Sequence, residues 1–229
     1  MAKIKIFRNK KAAISALIVL ILTIGALIYN KANEFKPIIQ VDDIPEYSGK
    51  GYVEINGNVP FFTDDEITTN AYEEYGDLDH LGRCTQAMAC LGKELMPTEE
   101  RESLDTKPTG WVQLEYEKGK YLYNRSHLIA FSLAGENDND RNLITGTQYM
   151  NQEGMKPFEM MVLDYINETG NHVMYRVSPI FDENNLLASG VLIEAYSVED
   201  EGEGITFNVY IYNVQPGISI DYATGRATK

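Results

Sequence analysis

His127 stands among side chains that suit it to proton transfer. It closes the run Asn-Arg-Ser-His at 124–127, directly after a predicted hairpin, and asparagines follow at 137, 139, 142 and 151. An imidazole titrates near neutral pH, so it can accept a proton under physiological conditions. We therefore take His127 as the candidate base. The two other histidines, His80 in an acidic turn and His172 at a strand start, are expected to be ordinary.

A helical pattern over 146–167 carries two further polar candidates. Positions 151, 155 and 159 are spaced i, i+4, i+8, so a continuous α-helix would place Asn151 and Glu159 on one face. Pro157 is expected to interrupt that helix.

The run at 124–127 resembles a motif of the DNA/RNA non-specific endonucleases of the ββα-metal class, which include the DNA-entry nucleases of Gram-positive bacteria. Their hallmark is Asp-Arg-Gly-His at the end of a strand, followed by a helix with a metal-binding Asn. The chain departs from the hallmark at Asn124 and Ser126 and keeps Arg125 and His127.

The helix after the motif extends the resemblance. The chain has Asn-x-x-Gly-Met at 151–155, an earlier Asn at 142 and an acidic residue at Glu159, as the family pattern expects. The resemblance is strongest over 120–160 and extends loosely over 75–222.

This resemblance implies an α+β fold with a ββα-metal nuclease core and a central antiparallel sheet. It also implies a Mg²⁺-dependent, sequence-non-specific endonuclease, with Mn²⁺ as a substitute ion, that cleaves DNA and leaves 5′-phosphates. RNA is an open second substrate, and no protein partner is implied. The implied roles are general base for His127, metal ligand for Asn151, supports for Glu159 and Asn142, and phosphate clamp for Arg125.

The chemistry of these side chains agrees with those roles. Hydrolysis of a phosphodiester needs a proton acceptor for the attacking water and positive charge for the developing phosphate. Mg²⁺ keeps most of its waters, so one Asn carbonyl is a sufficient protein ligand. Arg141 and Lys156 are expected to add positive charge for the substrate.

Three alternatives remain at the level of sequence. The domain can be a catalytically weak DNA-binding receptor that uses the same fold, and Arg125 can form a surface ion pair. The acidic run 136–140 can be read as a calcium loop, but it lacks the glycine and the distal glutamate of an EF-hand.

The charge is the strongest objection to a nucleic-acid substrate. The 229 residues carry 20 Lys and Arg against 34 Asp and Glu, a net charge of −14, whereas nucleic-acid binders usually show a basic footprint. A local positive site and tethering near the substrate can offset the weak bulk attraction. We expect weak, salt-sensitive affinity.

The N-terminal segment predicts export. Residues 12–29 form an uncharged apolar run of roughly 27 Å as a helix, enough to cross most of a bilayer core. Five cations before the run place the N-terminus inside the cell and the rest outside. We expect a single-pass membrane protein with cytoplasmic cations and anchor at 1–31, a linker at 32–48 and an extracellular nuclease domain at 49–229. Cleavage as a signal, giving a secreted protein, is the alternative.

Local patterns predict the remaining elements. Strands are expected near 52–58, 111–116, 172–177, 191–196 and 207–212, with a hairpin turn at 117–120. Residues 83–91 are expected to form a short helix. Its two cysteines, Cys84 and Cys90, would then lie roughly 9 Å apart, too far for a disulfide, so we expect them to be core residues.

Overall fold

The computed structural model describes residue 19 and residues 39–229. Apart from Val19, the predicted membrane segment at 12–29 lies outside these residues. No helix in the described part is long and apolar enough to cross a membrane. The elements in chain order are β1 (Tyr52–Glu54), β2 (Tyr72–Tyr75), β3 (Ala87–Leu91), β4 (Glu115–Glu117), β5 (Lys120–Tyr121), β6 (Tyr123–His127), α1 (Phe131–Ala134), β7 (Leu143–Thr147), a π-helical turn (Met150–Met155), α2 (Lys156–Thr169), β8 (Val173–Ile180), β9 (Gly190–Ser197), β10 (Thr206–Tyr212), β11 (Ser219–Ile220) and β12 (Ala227–Thr228).

A six-stranded antiparallel sheet forms the centre, in the order β1-β10-β9-β8-β3-β2. The runs of β8, β9 and β10 are rich in β-branched and aromatic residues and are almost fully buried. The predicted α+β class, the central antiparallel sheet and these three strands are confirmed. For these three strands the predicted ends differ from the observed ends by no more than three residues.

Each face of the sheet carries its own core. On one face, Val162 and Ile166 of α2 pack against Tyr175 and Ile193. The opposite face packs against earlier parts of the chain, including Ile39. The described part of the expected linker, 39–48, therefore lies on the sheet.

The expected helix at 83–91 is wrong, because residues 87–91 form β3. Cys90 of β3 is paired with Met174 of β8 and with Tyr72 of β2, which places it inside the sheet. The run Ala-Met-Ala-Cys-Leu has helical propensity, but burial between two strands outweighs this weak preference. Cys84 and Cys90 are both buried and unpaired, as expected of core residues.

β6 and β7 form a two-stranded sheet of their own, and together with α2 they make a ββα unit that carries the motif at 124–127. β6 pairs with β7 in an antiparallel ladder that sets Arg125 opposite Thr145 and His127 opposite Leu143. The chain then continues through the π-helical turn into α2. The predicted hairpin turn joins β4 to β5, but residues 111–114 before it are irregular rather than extended in a ladder.

Candidate active site

Five of the predicted side chains line one cavity of about 690 Å³. The opposite wall comes from the irregular segment between β3 and β4, which contributes Arg101, Leu104 and Trp111. The ββα unit thus supplies one side of the site and a loop supplies the other. The five predicted residues are His127 and Arg125 from β6, Asn151 from the π-helical turn, and Lys156 and Glu159 from α2.

The backbone carbonyl of Asn137 fixes the tautomer of His127. Nε2 of His127 lies 2.7 Å from that oxygen. A carbonyl oxygen only accepts hydrogen bonds, so Nε2 carries the proton and donates it. Nδ1 is therefore the unprotonated nitrogen, and it accepts a long hydrogen bond from Nη2 of Arg101 at 3.5 Å.

The environment of His127 favours its neutral form. Burial is the largest cause that lowers the pKa of the imidazole from its ordinary value, and the Arg101 charge lowers it further. The hydrogen bond to Asn137 and the Asp138 carboxylate oppose that shift. A base must be deprotonated before it can accept a proton, so the lowered pKa suits His127 to this role.

Asn142 lies outside the cavity and supports the chain that follows His127. It is fully buried, and its amide oxygen accepts a hydrogen bond from the backbone N–H of Ile129 at 2.9 Å. The amide nitrogen of Asn142 donates to the backbone carbonyl of Ile129 at 3.1 Å. The Leu128 N–H also donates to the Asn142 carbonyl. These three hydrogen bonds hold the segment that leaves β6 immediately after the base.

Arg125 presents its guanidinium to the cavity between two protein contacts. Nη1 donates to the carbonyl of Leu104, and Cζ lies 5.0 Å from the centroid of the Trp111 ring. Among the described residues no carboxylate forms an ion pair with it, so the expected alternative of a surface ion pair is not what the geometry shows.

The π-helical turn sets which side chains reach the cavity from the helix. Side chains advance by less rotation per residue in a π turn than in an α-helix. Met155, four positions after Asn151, is consequently buried in the core, while Lys156 takes the place beside Asn151. Asn151 and Glu159 do line the same cavity.

Pro157 gives a physical reason for the π turn. Within an α-helix, its ring would clash with the carbonyl four positions earlier and one hydrogen bond would be lost. It lies in the first turn of α2, directly after the π turn. The predicted interruption is therefore a local change of helix type, and the helix continues past it.

The surroundings of Glu159 disfavour the charged form of its carboxyl group. Burial raises its pKa to about 7, and the positive charge of Lys156 offsets only part of that shift. Within the described residues its side chain has neither a hydrogen-bond partner nor an ion-pair partner. Such a carboxylate is stabilised by any cation that approaches it.

The placement of charged residues bears on two sequence-based expectations. Arg141 does not line the cavity, and its exposed side chain pairs with Asp77 at 3.0 Å in the turn that precedes β7, so its role in substrate binding stays a prediction. In the run 136–140, the Asp138 carboxylate accepts hydrogen bonds from the backbone N–H groups of Asp105 and Thr106.

Sequence reasoning missed the loop wall of the cavity. Arg101 lies in an acidic stretch without periodic pattern, 26 positions before His127, and no spacing rule links the two. Trp111 was placed on a strand. Its one available signal was that it is the chain's single tryptophan.

The side chains that face the cavity fit a hydrated hard cation. Asn151 offers an amide oxygen with no hydrogen-bond partner among the described residues, and Glu159 offers the unpaired carboxylate. Those residues contain no group of three or more His, Cys, Asp or Glu side chains arranged to hold a metal. A site closed by protein ligands, as for structural zinc, therefore does not fit, whereas an ion that keeps several waters does.

A ββα unit beside an antiparallel sheet, with a buried histidine and cationic side chains in one cavity, is the arrangement expected of a nuclease of the ββα class. The family model for the DNA/RNA non-specific endonucleases matches residues 64–199, more than half of the chain. The chain belongs to this family, and it is a nuclease hydrolase.

Solved structures agree with that assignment. NucA from Streptococcus agalactiae with a magnesium ion bound is 28% identical, with a TM-score of 0.69 over 78% of this chain and 86% of that one. The same protein with no metal bound is 27% identical, with a TM-score of 0.71 over 82% and 92%. The Sda1 nuclease with a bound zinc ion, at 24% identity and a TM-score of 0.67 over 79% and 97%, supports the fold alone.

Proposed function

We propose that this protein is a Mg²⁺-dependent, sequence-non-specific endonuclease that hydrolyses phosphodiester bonds of DNA outside the cell. The observation that carries the proposal is that His127, with its unprotonated Nδ1, shares one cavity with Arg125 and Asn151. NucA, with its bound magnesium ion, supports the choice of metal. Mn²⁺ is the expected substitute, and RNA is a second substrate to be tested.

His127 acts as the general base through Nδ1. This nitrogen takes the proton from a water molecule as that water attacks phosphorus, while Nε2–H stays bonded to the Asn137 carbonyl and keeps the ring in place. The resulting imidazolium is paired with that carbonyl and with the nearby Asp138 charge, which both favour the protonated form.

Arg125 and Lys156 supply the positive charge that the substrate needs. A guanidinium presents N–H donors in a plane and matches the oxygens of a phosphate, whereas an ammonium acts as a point charge. Both side chains line the cavity of His127. Their local charge replaces the bulk attraction that an acidic protein cannot provide.

Asn151 is the proposed ligand of the metal ion, with Glu159 as its support about two turns further along the helix. When bound, Mg²⁺ supplies Lewis-acid stabilisation of negative charge on the phosphate and on the leaving oxygen. The chain's own contribution is to hold the Asn151 amide at the cavity through the π-helical turn, and to keep an unpaired carboxylate beside it.

The proposed location rests on the sequence. The cations and the apolar run of residues 1–31 favour a single-pass membrane protein whose nuclease domain is extracellular, with a secreted form as the alternative.

Plasmid digestion tests the activity. The purified protein should convert supercoiled plasmid to nicked and linear forms with Mg²⁺, and EDTA should abolish the conversion. His127→Ala should lower the rate by about 10²–10⁴-fold with folding intact, as expected when a general base is lost. His80→Ala is the matched control, because His80 is exposed and lies outside the cavity. Equal rates for His127→Ala and wild type would contradict the assigned base.

The metal assignment needs its own variant. Asn151→Ala should raise the Mg²⁺ concentration required for half-maximal activity, or abolish activity, since it removes the proposed ligand. Asn151→Asp retains an oxygen ligand but places a negative charge beside the phosphate, so its maximal rate should fall. An unchanged Mg²⁺ requirement in both variants would move the metal site elsewhere. DNA binding by the wild type without any cleavage would favour a receptor.

A further inference from the structure

The guanidinium of Arg125 contacts the protein at two places and keeps one N–H without a partner. Leu104 accepts a hydrogen bond from Nη1, and the Trp111 ring covers one face at 5.0 Å. Nε is buried and has no hydrogen-bond partner within the described part of the chain, although the side chain lines the cavity. A buried N–H without an acceptor is costly, so this edge of the guanidinium is suited to an anionic oxygen brought by a ligand.

Trp111 is itself fixed by the fold. Its ring packs against the cluster around Leu122, Tyr123 and Leu187. The preceding Gly110 has a φ of +67°, and a Cβ at this position would lie 2.0 Å from Leu187. The backbone that carries the indole is therefore closely confined.

The same backbone is tied to the strand pair that bears Arg125. The hydroxyl of Thr145 donates to the Thr109 carbonyl at 2.8 Å, and Thr145 is the residue opposite Arg125 in the β6–β7 ladder. The hydroxyl of Thr109 donates in turn to the Leu186 carbonyl. One network thus connects the indole and the guanidinium independently of any substrate.

We propose that Trp111 is a positioning residue of the nuclease reaction: its indole holds the Arg125 guanidinium so that the unpartnered Nε edge meets the phosphate oxygen of the substrate. This inference rests on the proposed function. An arginine side chain loses conformational entropy when it is fixed. Because the indole already restricts the guanidinium in the free protein, binding of the substrate does not have to bear that loss. Trp111 acts only through Arg125.

Kinetics of Trp111 variants test the inference. Trp111→Leu should lower kcat/KM by about 3–30-fold, the range expected from loss of a cation–π contact. Trp111→Phe keeps an aromatic face and should recover most of that loss. Tyr116→Leu is the matched control, because Tyr116 packs against the same cluster but does not line the cavity. An unchanged kcat/KM in a folded Trp111→Leu protein, with the wild type active, overturns the inference and leaves the proposed function standing.

A double-mutant cycle separates positioning from a merely structural role. In an Arg125→Ala background, Trp111→Leu should cause almost no further loss, because the residue through which it acts is gone. If the two losses multiply, Trp111 acts by another route and the inference fails.

Fluorescence gives a readout that does not require the variants of Trp111 to fold. Because the chain has one tryptophan, its emission reports on this site alone. Inorganic phosphate should change the emission of the wild type and of Tyr116→Leu, but not that of Arg125→Ala. No change in the wild type at phosphate concentrations that inhibit cleavage, or an equal change in Arg125→Ala, would overturn the inference.

Discussion

The imidazole of His127 has one nitrogen available for chemistry. Because Nε2–H is committed to the Asn137 carbonyl, Nδ1 is the nitrogen that would take the proton of an attacking water in the proposed mechanism. Nη2 of Arg101 lies 3.5 Å from that nitrogen. A cation so close destabilises the imidazolium and therefore favours the neutral ring, and Arg101 also adds positive charge to the cavity.

The pH dependence of cleavage follows from this environment. The neutral form of His127 is the active one, and burial together with Arg101 lowers its pKa below the ordinary 6.5. The acidic limb of kcat/KM should therefore lie below pH 6.5, and Arg101→Gln should move it to higher pH because the repelling charge is removed. Initial rates measured across the limb for both proteins check this. A limb at the same pH in both would show that Arg101 does not tune the base.

Glu159 offers a stability test at the same site. Its pKa is raised to about 7 in the folded protein, from an ordinary value of 4.5. The stability linked to its neutral form is fully present below pH 4.5 and is lost as the pH rises through 7. In EDTA at pH 8, Glu159→Gln should therefore be more stable by about 1–3 kcal/mol, a range that allows for partial exposure of the side chain.

Thermal unfolding across this pH range measures the difference. The wild-type curve should fall relative to that of Glu159→Gln between pH 4.5 and 8. Glu168→Gln, an exposed change on the same helix, should follow the wild type. Parallel curves for wild type and Glu159→Gln would mean that the carboxylate is solvated in the folded protein.

We expect the stabilised variant to need more Mg²⁺ for activity, since it lacks the carboxylate that lines the cavity with Asn151.

At the scale of elements, the π-helical turn depends on a close approach to the sheet. A Cβ on Gly154 would lie 2.4 Å from Cγ2 of Ile211 in β10, and Ile211 is fully buried. Gly154→Ala should destabilise the fold by about 1–3 kcal/mol, the usual cost of overpacking. Because the turn must then shift, the Mg²⁺ requirement should rise as well.

Glu168→Ala provides the comparison for that variant, since it places an alanine on the exposed face of α2. Denaturant unfolding and Mg²⁺ titration of both proteins measure the two effects. If Gly154→Ala is as stable as Glu168→Ala, the sheet does not restrict the turn as the structure indicates.

Sequence patterns predicted the elements whose signals are local. The apolar runs of β8, β9 and β10 are long enough to identify strands without knowledge of their partners. The spacing from His127 to Asn151 and Glu159 survives because all three belong to one ββα unit, in which chain distance and spatial distance are related.

The errors arose where distant parts of the chain decide the local structure. The cysteine segment is helical by propensity, but neighbouring strands make it β3. Arg141 is close to the motif in sequence, yet its side chain lies outside the cavity and pairs with Asp77. Arg101 reaches the base from a loop with no periodic signal, so only the fold reveals it.

At the scale of the whole molecule, charge and tether have to be considered together. Residues 32–229 contain 14 Lys and Arg against 34 Asp and Glu, a net charge of −20. A net charge of this sign is expected to repel the phosphate backbone at long range, so the cations that line the cavity have to supply the attraction. If the domain is retained near a surface where DNA accumulates, it would meet DNA more often even without a basic patch on its own surface.

Part of the linker expected at 32–48 belongs to the folded domain. Residues 32–48 would span up to about 50 Å if fully extended. The segment 39–48, however, packs on the domain, with Ile39 buried. If residues 12–29 remain in a membrane, only residues 30–38 separate it from the domain, a reach of at most about 30 Å. The domain would then act close to the membrane surface.

Fractionation of cells that produce the full chain tests this arrangement. The apolar run at 12–29 is long for a cleaved signal, and the sequence Tyr-Asn-Lys at 29–31 is a poor cleavage site. We expect the protein in the membrane pellet with Met1 as its first residue, and we expect protease added outside intact cells to reach the domain.

Leu20→Arg provides the comparison. It places a charge near the middle of the apolar run, which costs about 2.5–3.5 kcal/mol of insertion free energy, so the membrane fraction should fall. A soluble extracellular form that begins after residue 29, with none in the pellet, would establish cleavage and leave the nuclease assignment unchanged.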